Sequence, residues 1–145
     1  MKNNRTLVDR LKAHRQFETN MVTLVANLEA KVNTSAAKLL LAEMRLDSKK
    51  HEAILTEVLS MLEGKPQPRL LWEARIESFV DMQVMKKELE HHIELETAML
   101  RDTEEEIKET PDEALKTLLT HVAEDEKKHH KNIELIIRKS YSFSP

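Results

Sequence analysis

Four pairs of polar residues, His14 with Glu18, Ser48 with His51, His92 with Glu96, and Glu126 with His129, stand at one-turn spacing, and seven of the eight residues can ligate a metal. A spacing of three or four residues puts both members of a pair on one helix face. For Glu126 and His129 this offers a carboxylate oxygen and an imidazole nitrogen to a single ion. A solitary Glu-x-x-His is common on surface helices, so the weight of the pattern lies in its repetition. His14, Glu18, Thr19, Met21, Asp47, Lys49, Lys50 and His51 recur 78 residues later as His92, Glu96, Thr97, Met99, Asp125, Lys127, Lys128 and His129. The chain reads as a duplicated two-helix unit that keeps its carboxylate and imidazole chemistry in both copies.

Each pair lies in the middle of an apolar stripe. Leu7, Leu11, Met21, Val25, Leu28 and Val32 share a seam with His14 and Glu18, which predicts a helix from about Arg5 to Val32. Asn33, Thr34 and Ser35 form the turn, with Ser35 as the N-cap. Ala37, Leu41, Met44, Ser48, His51, Leu55, Val58 and Leu62 predict a second helix that stops at Gly64, the only glycine of the chain. The segment Gly64-Lys65-Pro66-Gln67-Pro68 and its flanks give about nine extended residues, a reach of roughly 30 Å at ~3.3 Å each. That is long enough for a crossover to the opposite end of a bundle. A third helix from near Leu71 to Glu109 turns Met82, Met85, Leu89, His92, Glu96 and Met99 inward, with Ile93, Leu100 and Ile107 taking over as the stripe drifts. Pro111 suits the first turn of a fourth helix carrying Leu115, Leu119, Val122, Glu126, His129, Ile133 and Ile136.

These elements describe an all-α fold. With 145 residues and 40% apolar content, one domain spanning residues 1–145 is expected, with helix pairs at about 5–63 and 71–139, a linker at 64–70 and a flexible tail at 140–145. The absence of Cys excludes disulfides, iron–sulfur clusters and thiolate-bound iron within the chain, so any electron transfer needs an external donor. A net charge of -3 and 3% aromatic content supply neither a basic face nor a stacking platform, so nucleic acid is not an expected partner. No stretch of 18 apolar residues occurs, and a cytoplasmic protein without a membrane span is expected.

An unpaired carboxylate in a dry interior loses several kcal/mol of solvation or more, and either a cation or a set of hydrogen-bond donors can replace the lost water. The residues leave both open: a metal site, or a polar layer that fixes helix register without an ion. His14 and His92 can equally be ligands or hydrogen-bond partners of the glutamates. His91, His121 and His130 are expected at the surface, and Glu104-Glu105-Glu106 on a solvated face. Met21, Met44, Met82, Met85 and Met99 follow core spacing and read as packing. Trp72 is expected to cover the open end of the core.

With those residues in view, residues 5 to 138 resemble the ferritin-like superfamily, and within it the rubrerythrin-like di-iron carboxylate proteins. Their pattern is Glu, then Glu-x-x-His, then Glu, then Glu-x-x-His across four helices. The resemblance implies a ferritin-like four-helix bundle built from two duplicated helix pairs joined by the crossover linker. It implies that Glu18 and Glu96 are the carboxylates of the first and third helices, His51 the imidazole of the second, and Glu126 and His129 the full motif of the fourth. Asp47 and Asp125 resemble the aspartates that orient ligating histidines in such proteins. The departure is Ser48, which stands where the pattern has its second bridging glutamate. A neutral hydroxyl is a poor ligand for Fe, Mn or Zn, and His14 and His92 are additional candidates to complete the coordination.

The implied cofactor is iron as a dinuclear centre, with Mn or Zn as alternatives. The implied activity is reduction of oxygen or hydrogen peroxide by a protein drawing on an external electron donor. A homo-oligomer, most simply a dimer, is the expected assembly. The competing readings are a non-enzymatic bundle that binds or sequesters metal, and a metal-free helical scaffold. The only tyrosine, Tyr141, lies in the tail, so radical chemistry at the site has no candidate residue.

Overall fold

Glycine and proline are confined to the segments between the apolar stripes and to the C-terminus, so nothing interrupts the helical hydrogen-bond ladder within a stripe. The computed structural model describes residues 2–64, 72 and 79–141. Among them are α1 (Lys2–Lys31), α2 (Ser35–Glu63), α3 (Phe79–Glu109) and α4 (Glu113–Ser140), and no strand. The linker from Lys65, the expected start of the third helix near Leu71 and the tail beyond Tyr141 lie outside the described residues.

Two short loops of equal length turn the chain. In the first, Thr34 and not Ser35 is the N-cap: its hydroxyl accepts from the Ala37 amide at 3.2 Å while Ser35 begins the helix. In the second, Asp112 takes the same role and accepts from the Leu115 amide at 2.9 Å. Pro111 therefore precedes the cap and does not occupy the first turn of α4, where it was expected. The carboxylate of Asp112 also meets the positive end of the α4 dipole. Helix α2 ends as expected at Gly64, whose backbone is extended, with φ -65° and ψ 156°. A Cβ there would come within 3.1 Å of the Ser60 carbonyl oxygen, so close approach to the last helical turn is what favours glycine.

The helices form two compact units, α1 packed on α2 within Met1–Arg69 and α3 on α4 within Leu70–Pro145. In the first hairpin Val25, Leu55 and Leu59 are buried together with two polar residues, Glu18 and Ser48. In the second, Ala123, Ile133 and Thr103 are buried, and the Thr103 hydroxyl donates to the Met99 carbonyl at 2.9 Å. Each helix of a pair shields only the strip facing its neighbour. Leu7, Leu28, Met44, Val58, Met85, Met99, Leu115 and Val122, all expected in the apolar seam, are not covered by the partner helix of their hairpin. Trp72 is likewise 46% exposed.

Polar contacts set the register of the first hairpin. Arg45 reaches from α2 to Glu29 on α1, with Nε at 2.7 Å and a second nitrogen at 3.3 Å. Lys12 meets Glu63 at 3.1 Å, and the Thr19 hydroxyl donates to Glu52 at 3.0 Å. Together they tie α1 to α2 at three levels between Lys12 and Glu29.

Candidate metal centre

In the second hairpin, α3 brings forward His92 and Glu96, and α4 brings forward Glu126 and His129. The Glu96 side chain is 13% exposed, and its Oε1 lies 3.1 Å from His92 Nε2, one turn back on α3. From α4, His129 Nδ1 stands 4.0 Å from Glu96 Oε1 and 3.8 Å from Glu126 Oε2. One ligand atom from each of Glu96, Glu126 and His129 lies within 4.8 Å of the other two. Two ligands at 2.0–2.2 Å from one ion stand about 3–4 Å apart, so these separations approach those of a shared coordination sphere. An open cleft of about 270 Å³ borders the cluster, lined by His92, Leu95, Glu96, Met99 and Glu126.

The electrostatics of this cluster are unbalanced. A hydrogen bond with the Glu96 carboxyl, then burial, then the Glu96 charge and that of Asp125 raise the pKa of Glu126, against a lowering by His129. The same hydrogen bond lowers the pKa of Glu96; burial opposes it, and His92 and His129 reinforce it. The arrangement is that of a carboxylate pair sharing one proton. Apart from the Glu126 carboxyl, no donor reaches the buried Glu96 Oε2. A buried lone pair without a donor is costly, and a cation bridging the carboxylates would satisfy it while displacing the shared proton. Two carboxylates and an imidazole form a donor set suited to Fe, Mn or Zn.

The equivalent residues of the first hairpin are closed upon one another. His14 Nε2 and His51 Nδ1 lie 3.2 and 3.3 Å from the same oxygen, Glu18 Oε1. Ser48 supplies a third contact, a side-chain hydrogen bond to Glu18. Burial raises the pKa of Glu18, but the Ser48 hydroxyl, the His51 charge and the contact with His14 outweigh it, and the net shift is downward. The buried carboxylate is ionised and supplied with donors.

Each sequence-derived candidate thus falls into one of two clusters: His14, Glu18 and His51 with Ser48, or His92, Glu96, Glu126 and His129. The aspartates stand apart. Asp125 meets Lys128 at 3.4 Å and acts on Glu126 through its charge, while Asp47 is exposed. His91 is exposed as expected, whereas His121 and His130 are half-buried and His130 meets Glu134 at 3.0 Å. The partnership of Ser48 with Glu18 was not anticipated. Its signal was available, since Ser48 occupies the repeat position of Glu126 and a hydroxyl can donate where an ionised carboxylate cannot.

The fold and clusters define an all-helical protein of two hairpins, each with a glutamate beside two histidines inside its apolar stripe. Comparison with known proteins finds no matching family model, no matching curated protein and no matching solved structure. Among the described residues no helix is long and apolar enough to cross a membrane.

Proposed function

We propose that the chain is a metal-binding protein of ferritin-like, rubrerythrin-like type, which holds a divalent transition metal at Glu96, Glu126 and His129. Iron is the first candidate, with Mn or Zn as alternatives. The observation that carries the reading is the convergence of Glu96, Glu126 and His129, whose ligand atoms lie within 4.8 Å of one another beside the buried Glu96 Oε2. Glu96 and Glu126 would supply oxygens, His129 a nitrogen, and His92 would hold the Glu96 carboxylate in place. A bound iron would supply the electrons for reducing oxygen or hydrogen peroxide, replenished by an external donor because the chain has no cysteine redox centre.

A second reading, metal binding or sequestration without turnover, is favoured by the first hairpin, where the donors of Glu18 are already in place. The two share one test. Metal content per chain is measured by mass spectrometry on untagged protein purified without chelators and reconstituted with Fe or Mn. Glu126→Ala should lose metal and Glu104→Ala should keep it; equal loss from both would remove the site assignment. Peroxide consumption by the iron-loaded protein, with a chemical reductant, then separates turnover from sequestration.

A further inference from the structure

The two copies of the repeat differ at one position of the polar layer, Ser48 against Glu126, and their surroundings differ accordingly. In the first hairpin the imidazole from the second helix has closed to hydrogen-bond distance, with His51 Nδ1 at 3.3 Å from Glu18 Oε1. Its counterpart His129 stands off at 4.0 Å from Glu96 Oε1. Glu18 has three donors directed at its carboxylate, from His14, Ser48 and His51. Glu96 has His92, a second carboxylate and one buried oxygen that no donor other than that carboxyl reaches.

A cation entering the first hairpin would have to displace hydrogen bonds already made and would find one carboxylate. In the second hairpin it would find two carboxylates, where it displaces only a shared proton, and an imidazole standing 3.8 and 4.0 Å from them, so its electrostatic return is larger. We propose that the duplicated hairpins have parted in chemistry: the second takes a single divalent cation at Glu96, Glu126 and His129, and the first, closed by Ser48, takes none. Ser48 then acts as a built-in substitute for the ion, supplying by a hydroxyl what the metal supplies in the other copy. The inference rests on the metal-binding reading above and adds stoichiometry and location to it.

The test is a titration of the metal-free full-length chain with Mn(II), with free Mn(II) read by its electron paramagnetic resonance signal. The wild type should bind one ion per chain. Glu18→Gln should bind one as well, Glu126→Ser should lose binding at least tenfold, and Ser48→Glu should gain a second ion. Two ions on the wild type, or one that survives Glu126→Ser and disappears in Glu18→Gln, would overturn the proposal while leaving metal binding itself intact. No ion on the wild type would remove both readings. A folded Ser48→Glu protein that still binds one ion would show that Ser48 is not what withholds the first hairpin. Should that variant lose its helical circular dichroism, the Glu126→Ser and Glu18→Gln titrations decide the matter.

Discussion

Across the α3 and α4 contact, ligand oxygens of Glu126 and Glu96 lie within 4.8 Å of each other, and the pKa of Glu126 is raised while that of Glu96 is lowered, as in a carboxylate pair that holds one proton between its members. The pair therefore couples pH and stability at one place in the second hairpin, the place proposed above for a cation.

The metal-free protein should be most stable in mildly acidic solution. Glu126 has a folded pKa raised above the ordinary value of 4.5, so its contribution is complete below that value and is lost as pH rises through the folded pKa. Glu96 and Glu18 have lowered values, so their contributions are present above 4.5 and are lost as pH falls through the depressed pKa values. Glu126→Gln, whose amide donates at every pH, should abolish the loss on the alkaline side and raise the melting temperature at pH 7. Thermal melts by circular dichroism at pH 4.5 and pH 7, with a chelator present, check this. A Glu126→Gln protein less stable than wild type at both pH values would contradict it.

Cation binding should stabilise the fold by mass action, about 2.7 kcal/mol when the free ion is present at about 100 times its Kd. His129→Ala should lose most of that increment, because it removes the nitrogen donor without altering the carboxylate pair. Melts of both proteins with and without Mn(II) or Zn(II) provide the comparison, and addition of a chelator should reverse the gain. An equal increment in both would place the ion elsewhere.

The four helices were legible because their apolar residues recur in steps of three and four, and the 78-residue offset brought His14, Glu18 and His51 into correspondence with His92, Glu96 and His129. The closed first hairpin was less so. A spacing rule puts Ser48 and His51 on one face, but whether the imidazole leans on Glu18 or waits for an ion depends on a distance of less than 1 Å. A related reason separates the apolar seam from the strip buried within each hairpin. Periodicity marks the apolar face of a helix, whereas burial depends on how much of that face a single neighbour covers, and Leu28 and Met99 lie beyond that strip.

Ser48→Ala should destabilise the protein by about 1–3 kcal/mol, the range for leaving a buried acceptor short of a donor. It should also move the acid-side loss of stability to higher pH, since the Ser48 hydroxyl is the largest of the contacts that lower the Glu18 pKa. Urea unfolding at pH 7 and at pH 4 measures both effects. A destabilisation that is the same at the two pH values would mean that the hydroxyl serves packing and not the carboxylate.

The N-cap of α2 offers a check on the helix start that is independent of any metal. Thr34 has an extended backbone, φ -116° and ψ 144°, and its hydroxyl accepts from the Ala37 amide, whereas Ser35 is already helical and exposed. Thr34→Ala removes the acceptor for one of the unpaired amides of the first turn and should cost about 1 kcal/mol. Ser35→Ala removes no cap and places a stronger helix former at the first helical position, so its effect should lie within about 0.5 kcal/mol of zero. The backbone bond from the Lys38 amide to the Thr34 carbonyl, at 3.1 Å, is untouched by either change, so the difference between the variants reports on the side chain alone. Urea midpoints of the two variants in the metal-free protein give that difference, and a larger loss from Ser35→Ala would move the cap to Ser35.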